Sequence, residues 1–147
     1  MDSTRGTNKL KPWLCAAGVQ LRDQIDLWFP DRKSASDGWL GDARHSSRKS
    51  DHNPDGGCVR AIDVDSRLDS SEGLSIYLAD QIRECAKTDK RISYVIHNGK
   101  IASKILGYRW RTYKGYNKHV KHIHISFTKA GDKDGRPFDI PLLGGKI

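Results

Sequence analysis

The run His122-Ile123-His124-Ile125-Ser126-Phe127 constrains this chain more than any other stretch. Successive side chains of a β-strand point to opposite faces. The run therefore predicts a strand with Ile123, Ile125 and Phe127 on one face and His122 and His124 on the other. The apolar face calls for a core, and the imidazole face for some other partner. A second alternating run, residues 59–65, turns Ile62 and Val64 one way and Ala61, Asp63 and Asp65 the other. Placed side by side, with His52 reaching in from the preceding loop, the two strands build a His, Asp, His cluster.

The rest of the chain supplies the frame. Leu14, Ala17, Leu21, Ile25 and Trp28 recur at helical spacing, and Pro30 ends the pattern. Residues 31–57 are rich in Ser, Asp, Gly and Lys and read as a long irregular loop, a kind that is usually functional or disordered. Asp69 and Glu72 predict a capping box ahead of a helix that carries Leu74, Leu78 and Ile82 on one face. Asn98-Gly99, between two short β-rich runs, predicts a hairpin. The order helix, loop, strand, helix, hairpin, strand predicts an α+β fold. Its sheet should be small, mainly antiparallel and flanked by helices, in a single domain spanning residues 1–147.

Composition narrows the function classes. With 36% hydrophobic and 30% charged residues, the chain reads as an ordinary globular protein. No apolar run is long enough to span a bilayer, and the N-terminal residues lack the apolar stretch of a secretory signal. The expectation is a chain made in the cytoplasm. The net charge of +8 favours a polyanionic partner: nucleic acid, anionic lipid or an acidic polymer such as a cell wall. Three cysteines without a close pair argue against a disulfide framework. Cys15 and Cys85 read as small core residues in helices, and Cys58 is expected to have no metal role.

Three N and O ligands with a fourth position left to water is the pattern of catalytic rather than structural zinc. The bland reading of each residue alone is a half-exposed polar side chain. The joint placement of His52, Asp63, His122 and His124, with His119 close by, favours the metal.

These residues also carry a resemblance. The segment SDHNPDGGCVRAID at 50–63, followed by KHIHIS at 121–126, resembles the zinc peptidases of the D-alanyl-D-alanine carboxypeptidase family. That group includes phage endolysin peptidases and, more distantly, lysostaphin and the hedgehog signalling domain. The matching elements are Ser50-Asp51-His52, Gly56-Gly57, Ala61-Ile62-Asp63 and His122-Ile123-His124, and the likeness runs from about Leu21 to Phe127. One departure is the interval from His52 to Asp63, which is longer than usual. The additional residues fall in the turn-forming NPDGG stretch, which can loop out without moving either ligand.

The resemblance implies a hedgehog-like or peptidase-like fold and a zinc ion held by His52, Asp63 and His124. It implies that His122 steadies the developing oxyanion. Some relatives place an acidic base where this chain has a charged Lys121. The carboxypeptidase branch uses a histidine at the position of His119, so His119 is the implied general base; the bland alternative is a surface His119, with water or an acid elsewhere, such as Asp65, as the base. The implied activity is hydrolysis of amide bonds in peptidoglycan stem peptides or cross-links by a phage-type endolysin or related lytic enzyme. Carboxypeptidase and endopeptidase action both stay open. The implied partners are peptidoglycan and the anionic wall surface, reached after release or delivery by a chain acting as a monomer.

Arg44 and Arg48 either grip a substrate carboxylate or are ordinary loop arginines, and His45 has the same standing. Tyr113 and Trp110 either line the cleft or are core aromatics. Two other classes compete. A basic metal nuclease or nucleic-acid binder would use the cations and aromatics of residues 108–122. An inactive relative would keep the metal and only bind wall fragments.

Overall fold

A computed structural model describes residues 11–40 and 50–145. In chain order the regular elements are β1 (Trp13–Leu14), α1 (Ala16–Trp28), β2 (Cys58–Val59), β3 (Ala61–Asp65) and α2 (Leu74–Ala86). They continue with β4 (Ile92–His97), β5 (Lys100–Ser103), β6 (Arg111–Thr112) and β7 (His122–Phe127). The last five strands to be named in the sheet, in the order β3-β7-β4-β5-β6, pair antiparallel throughout. The short β1 and β2 pair parallel to one another. The fold is thus α+β with a small antiparallel sheet, as the pattern predicts.

The two alternating runs are neighbours, and their register sets Asp63 opposite His124 and Asp65 opposite His122. Ile62, Val64, Ile123 and Ile125 are fully buried and join Ala17, Leu21 and Ile25 of α1 and Leu78 and Ile82 of α2 in one core. Each such aliphatic side chain contributes about 1.5–3 kcal/mol on leaving water. That burial pins the register, because a slip of one residue would turn His122 and His124 into the core. Asn98 and Gly99 take φ of 53° and 79°, both left-handed, as the tight hairpin between β4 and β5 requires.

Three local expectations need correction. The capping box does not form: α2 opens at Leu74 behind a left-handed Gly73, and Asp69 instead accepts the Ser71 N–H at 2.6 Å. Leu14 and Cys15 precede α1, with Leu14 in β1, and Trp28 at its end is exposed. The run 59–65 is interrupted at Arg60, whose guanidinium bonds Asp132 and Asp55. All three cysteines are free and buried. Among the described residues, no helix is long and apolar enough to cross a membrane.

Candidate metal centre

Strand pairing brings Asp63 and His124 together, and two loop segments deliver His52. Gly38 exchanges both backbone hydrogen bonds with Asp63 on the edge of β3 (2.7 and 3.1 Å), which sets the Trp39 carbonyl in place. Downstream, the N–H of His52 donates to Ser50 Oγ, and Asn53 N–H to the Ser50 carbonyl. The return to β2 passes through Gly56 and Gly57, whose φ of 61° and 90° suit glycine. The NPDGG stretch therefore closes a tight turn beside β2, with Asp55 and Cys58 exchanging backbone bonds.

The inner nitrogens of both rings converge on one carboxylate. His52 Nε2 lies 3.2 Å from Asp63 Oδ2, and His124 Nδ1 lies 3.0 Å from Asp63 Oδ1. The outer nitrogens are anchored. A carbonyl can only accept, so His52 Nδ1 donates to Trp39 O at 2.9 Å. His124 Nε2 meets Ser126 Oγ at 2.7 Å. Outer anchors of this kind orient metal-binding imidazoles and aim their inner nitrogens at the ion's position. His52, Asp63 and His124 together form a buried His/Asp cluster whose donor atoms all lie within 4.8 Å of one another, a set that could bind a metal ion.

Electrostatics agree with that geometry. Burial pushes the Asp63 carboxyl up, but the hydrogen bonds and charges of His124 and His52 outweigh it and hold the group well below the usual range. Burial lowers His52, and Asp63 more than reverses it, so that imidazole is raised. A carboxylate faced by several imidazoles thus draws positive charge, which protons or a cation can supply.

His119 and His122 complete the ring of histidines. Their rings are 4.8 Å apart, and His119 is 5.3 Å from His124. His122 Nε2 is 3.6 Å from Asp63 Oδ1. His119 Nδ1 and His122 Nε2 are buried without a hydrogen-bond partner. Burial, then the charges of His124 and His122, push His119 down to about 4, and burial also lowers His122. Both rings are neutral near pH 7. His119 adopts a left-handed φ of 55°, and its N–H donates to Asn117 Oδ1.

A residue that the sequence reading passed over holds this segment. His97, buried at the end of β4, donates from Nδ1 to the carbonyls of both His119 (2.8 Å) and His122 (2.9 Å). Its Nε2 meets Ser75 Oγ of α2 at 3.0 Å. Burial keeps this imidazole neutral, which fits a donor to carbonyls on one side and a hydroxyl partner on the other. The only sequence signal was its place beside Asn98-Gly99, where the hairpin turns. Tyr94, also unforeseen, stacks on His124 at 5.6 Å and donates its hydroxyl to Asp51 Oδ2 at 2.6 Å.

The histidines open into a cleft of about 750 Å³, lined also by Asp51, Tyr94, Tyr113, Tyr116 and Lys118. Tyr113 takes the cleft-lining role, with its ring 5.7 Å from His119. Trp110 does not. It donates to Asp80 and packs under Arg83 beside α2, on a separate groove. Asp65 is not a base in the site, because its oxygens are taken by Arg67 and by main-chain N–H groups. Cys58 is not part of the His52, Asp63 and His124 cluster. Its thiol faces Asp132 and is pushed up to about 12, first by burial. Arg44, His45 and Arg48 lie outside the described residues. Compared with family models, curated proteins and solved structures, the chain returns no match.

Proposed function

We propose that this chain is a zinc-dependent peptidase that hydrolyses amide bonds in the stem peptides or cross-links of peptidoglycan, as a phage-type endolysin or related lytic enzyme does. One observation carries the reading: a two-histidine, one-carboxylate set with anchored outer nitrogens stands beside two buried, unpartnered imidazole nitrogens at the floor of an open cleft. The unpartnered nitrogens and the carboxylate's pull for positive charge fit a bound cation. An N and O donor set with room for a further ligand suits zinc.

His52, Asp63 and His124 would hold the ion. When bound, zinc supplies Lewis acidity that makes water a usable nucleophile near neutral pH and polarises the amide carbonyl. The chain's own residues do the remaining work. His119, neutral at physiological pH, takes the proton on Nδ1 and returns it to the leaving amine. His122 donates from Nε2 to the oxygen that gains charge as the carbonyl is attacked. His97 holds both residues through their carbonyls, so their spacing is set before substrate arrives. Tyr113 and Lys118 line the approach, and the +8 charge draws the protein to an anionic wall.

The test combines metal counting with product analysis. Purified protein should carry one zinc, and digestion of purified walls should release fragments with new peptide termini by mass spectrometry. Zinc without new termini would reduce the protein to a wall-binding relative. Retention of zinc by both His52→Ala and His124→Ala proteins would refute the ligand set.

A further inference from the structure

The described residues contain two overlapping ligand sets, and the second is made by Asp63, His119 and His122. Its donor atoms also lie within 4.8 Å of one another. Two independent features mark it. His119 Nδ1 and His122 Nε2 are both buried and both lack a hydrogen-bond partner. Asp63 Oδ1 already leans toward His122 at 3.6 Å, and a carboxylate has lone pairs enough to serve two cations. Neither histidine is spent by a metal on His52 and His124.

We infer that the site takes a second divalent transition-metal ion on His119, His122 and Asp63, more weakly than the first, and that filling this position switches the enzyme off. The inference rests on the peptidase reading given above. Weaker binding follows from the surroundings. The first pair of imidazoles is anchored through its outer nitrogens by Trp39 and Ser126, whereas among the described residues no hydrogen bond anchors a ring nitrogen of His119 or His122. Outer anchors are worth about 10–100-fold in metal affinity. The second ion must also share Asp63 with the first. Inhibition follows from the roles of the ligands: a metal on His119 Nδ1 occupies the lone pair that would take the proton, and one on His122 Nε2 removes the donor for the oxyanion. The imidazole donors select zinc, nickel or copper over calcium and magnesium, which prefer all-oxygen ligands.

The experiment is equilibrium dialysis of the metal-stripped full chain against buffered free Zn2+, with bound metal counted by elemental analysis. The expected curve has two steps, the second at about 10–100-fold higher free zinc. His119→Ala and His122→Ala should each lose the second step and keep the first. His119→Gln and His122→Gln, checked by circular dichroism, guard against misfolding. Wall hydrolysis should rise across the first step and fall across the second, and excess Ca2+ should not reproduce the fall. A single step in the wild-type curve overturns the inference, as does a second step that survives in both alanine variants, or full hydrolysis at two bound ions. Failure of the peptidase reading looks different: the first step would be missing, would survive in His52→Ala, or would bring no wall hydrolysis at any zinc loading, and this last result also overturns the inhibition inferred here.

Discussion

Asp63 and Asp65 stand on the same face of β3, opposite His124 and His122 on β7. Their surroundings differ in kind. Asp65 is fully buried and accepts main-chain N–H groups from Ser36 and Arg67 together with the Arg67 guanidinium, all at 2.8–3.0 Å. Those donors never lose their protons. Asp63 faces imidazole nitrogens, which donate only when protonated and otherwise offer lone pairs. The first environment can do nothing but hold the chain. The second can exchange protons for a metal ion. A buried carboxylate is a site candidate when its partners are conditional donors, and a structural post when they are permanent ones.

Substitution of Asp63 gives the largest effect. Asp63→Ala removes the carboxylate from both ligand sets, so bound zinc and wall hydrolysis should vanish together while the helical circular dichroism signal stays. A protein that hydrolyses walls normally without Asp63 would erase the distinction between the two carboxylates.

His119→Ala comes next. It should keep one zinc yet lose kcat by roughly two to four orders of magnitude, the span of a positioned proton-transfer group. The pH profile gives the sign. His119 must be neutral to accept a proton, and burial holds it down to about 4. The wild-type rate should therefore rise with pH through an ionisation below the ordinary imidazole value. That limb should disappear in the variant. An unchanged limb and near-native turnover would return the search to other groups.

Part of this was readable from alternation. The faces of residues 61–65 and 122–127 follow from period-two patterning and apolar burial, which act locally, whereas His52 comes from a loop that carries no such period. Asp65 shared the pattern of Asp63 and could not be told from it: Ser36 reaches it from the 31–40 segment, far away in the chain, and the local Arg67 bonds form only through the turn the chain makes after β3. His97 and the Trp39 carbonyl escaped because each of these contacts joins a ring nitrogen to a main-chain carbonyl, which leaves no trace in the pattern of side chains. The capping box failed because residue identity suggested a cap where Gly73 starts the helix one turn later.

A smaller effect is expected at His97, which touches no ligand atom but holds the carbonyls of His119 and His122. His97→Ala should keep zinc and leave KM within a few-fold, while kcat falls on the order of 10–100-fold, the usual cost of losing such support. His97→Gln can still donate to one carbonyl and should recover part of kcat. A drop in KM and kcat together with lost zinc would mean that His97 supports the whole fold rather than this segment.

Asp65→Asn should disturb the site least. Zinc content and kcat should match the wild type at pH 7, since Asp65 belongs to neither ligand set. Its cost is in stability, about 1–3 kcal/mol at pH 7 for buried hydrogen bonds left imperfectly matched. The Arg67 hydrogen bonds, foremost among the causes, outweigh burial and hold the Asp65 carboxyl below its ordinary value. For a depressed carboxyl, the stabilisation is complete above the unfolded value, about 3.9, and is lost as the pH falls through the native one. The gap between wild type and variant, read from urea unfolding midpoints, should therefore be widest near neutrality and close in strong acid. A gap that stays constant into acid would show that the charge of Asp65 contributes nothing. Zinc lost from Asp65→Asn would show that the two carboxylates of β3 work as one unit.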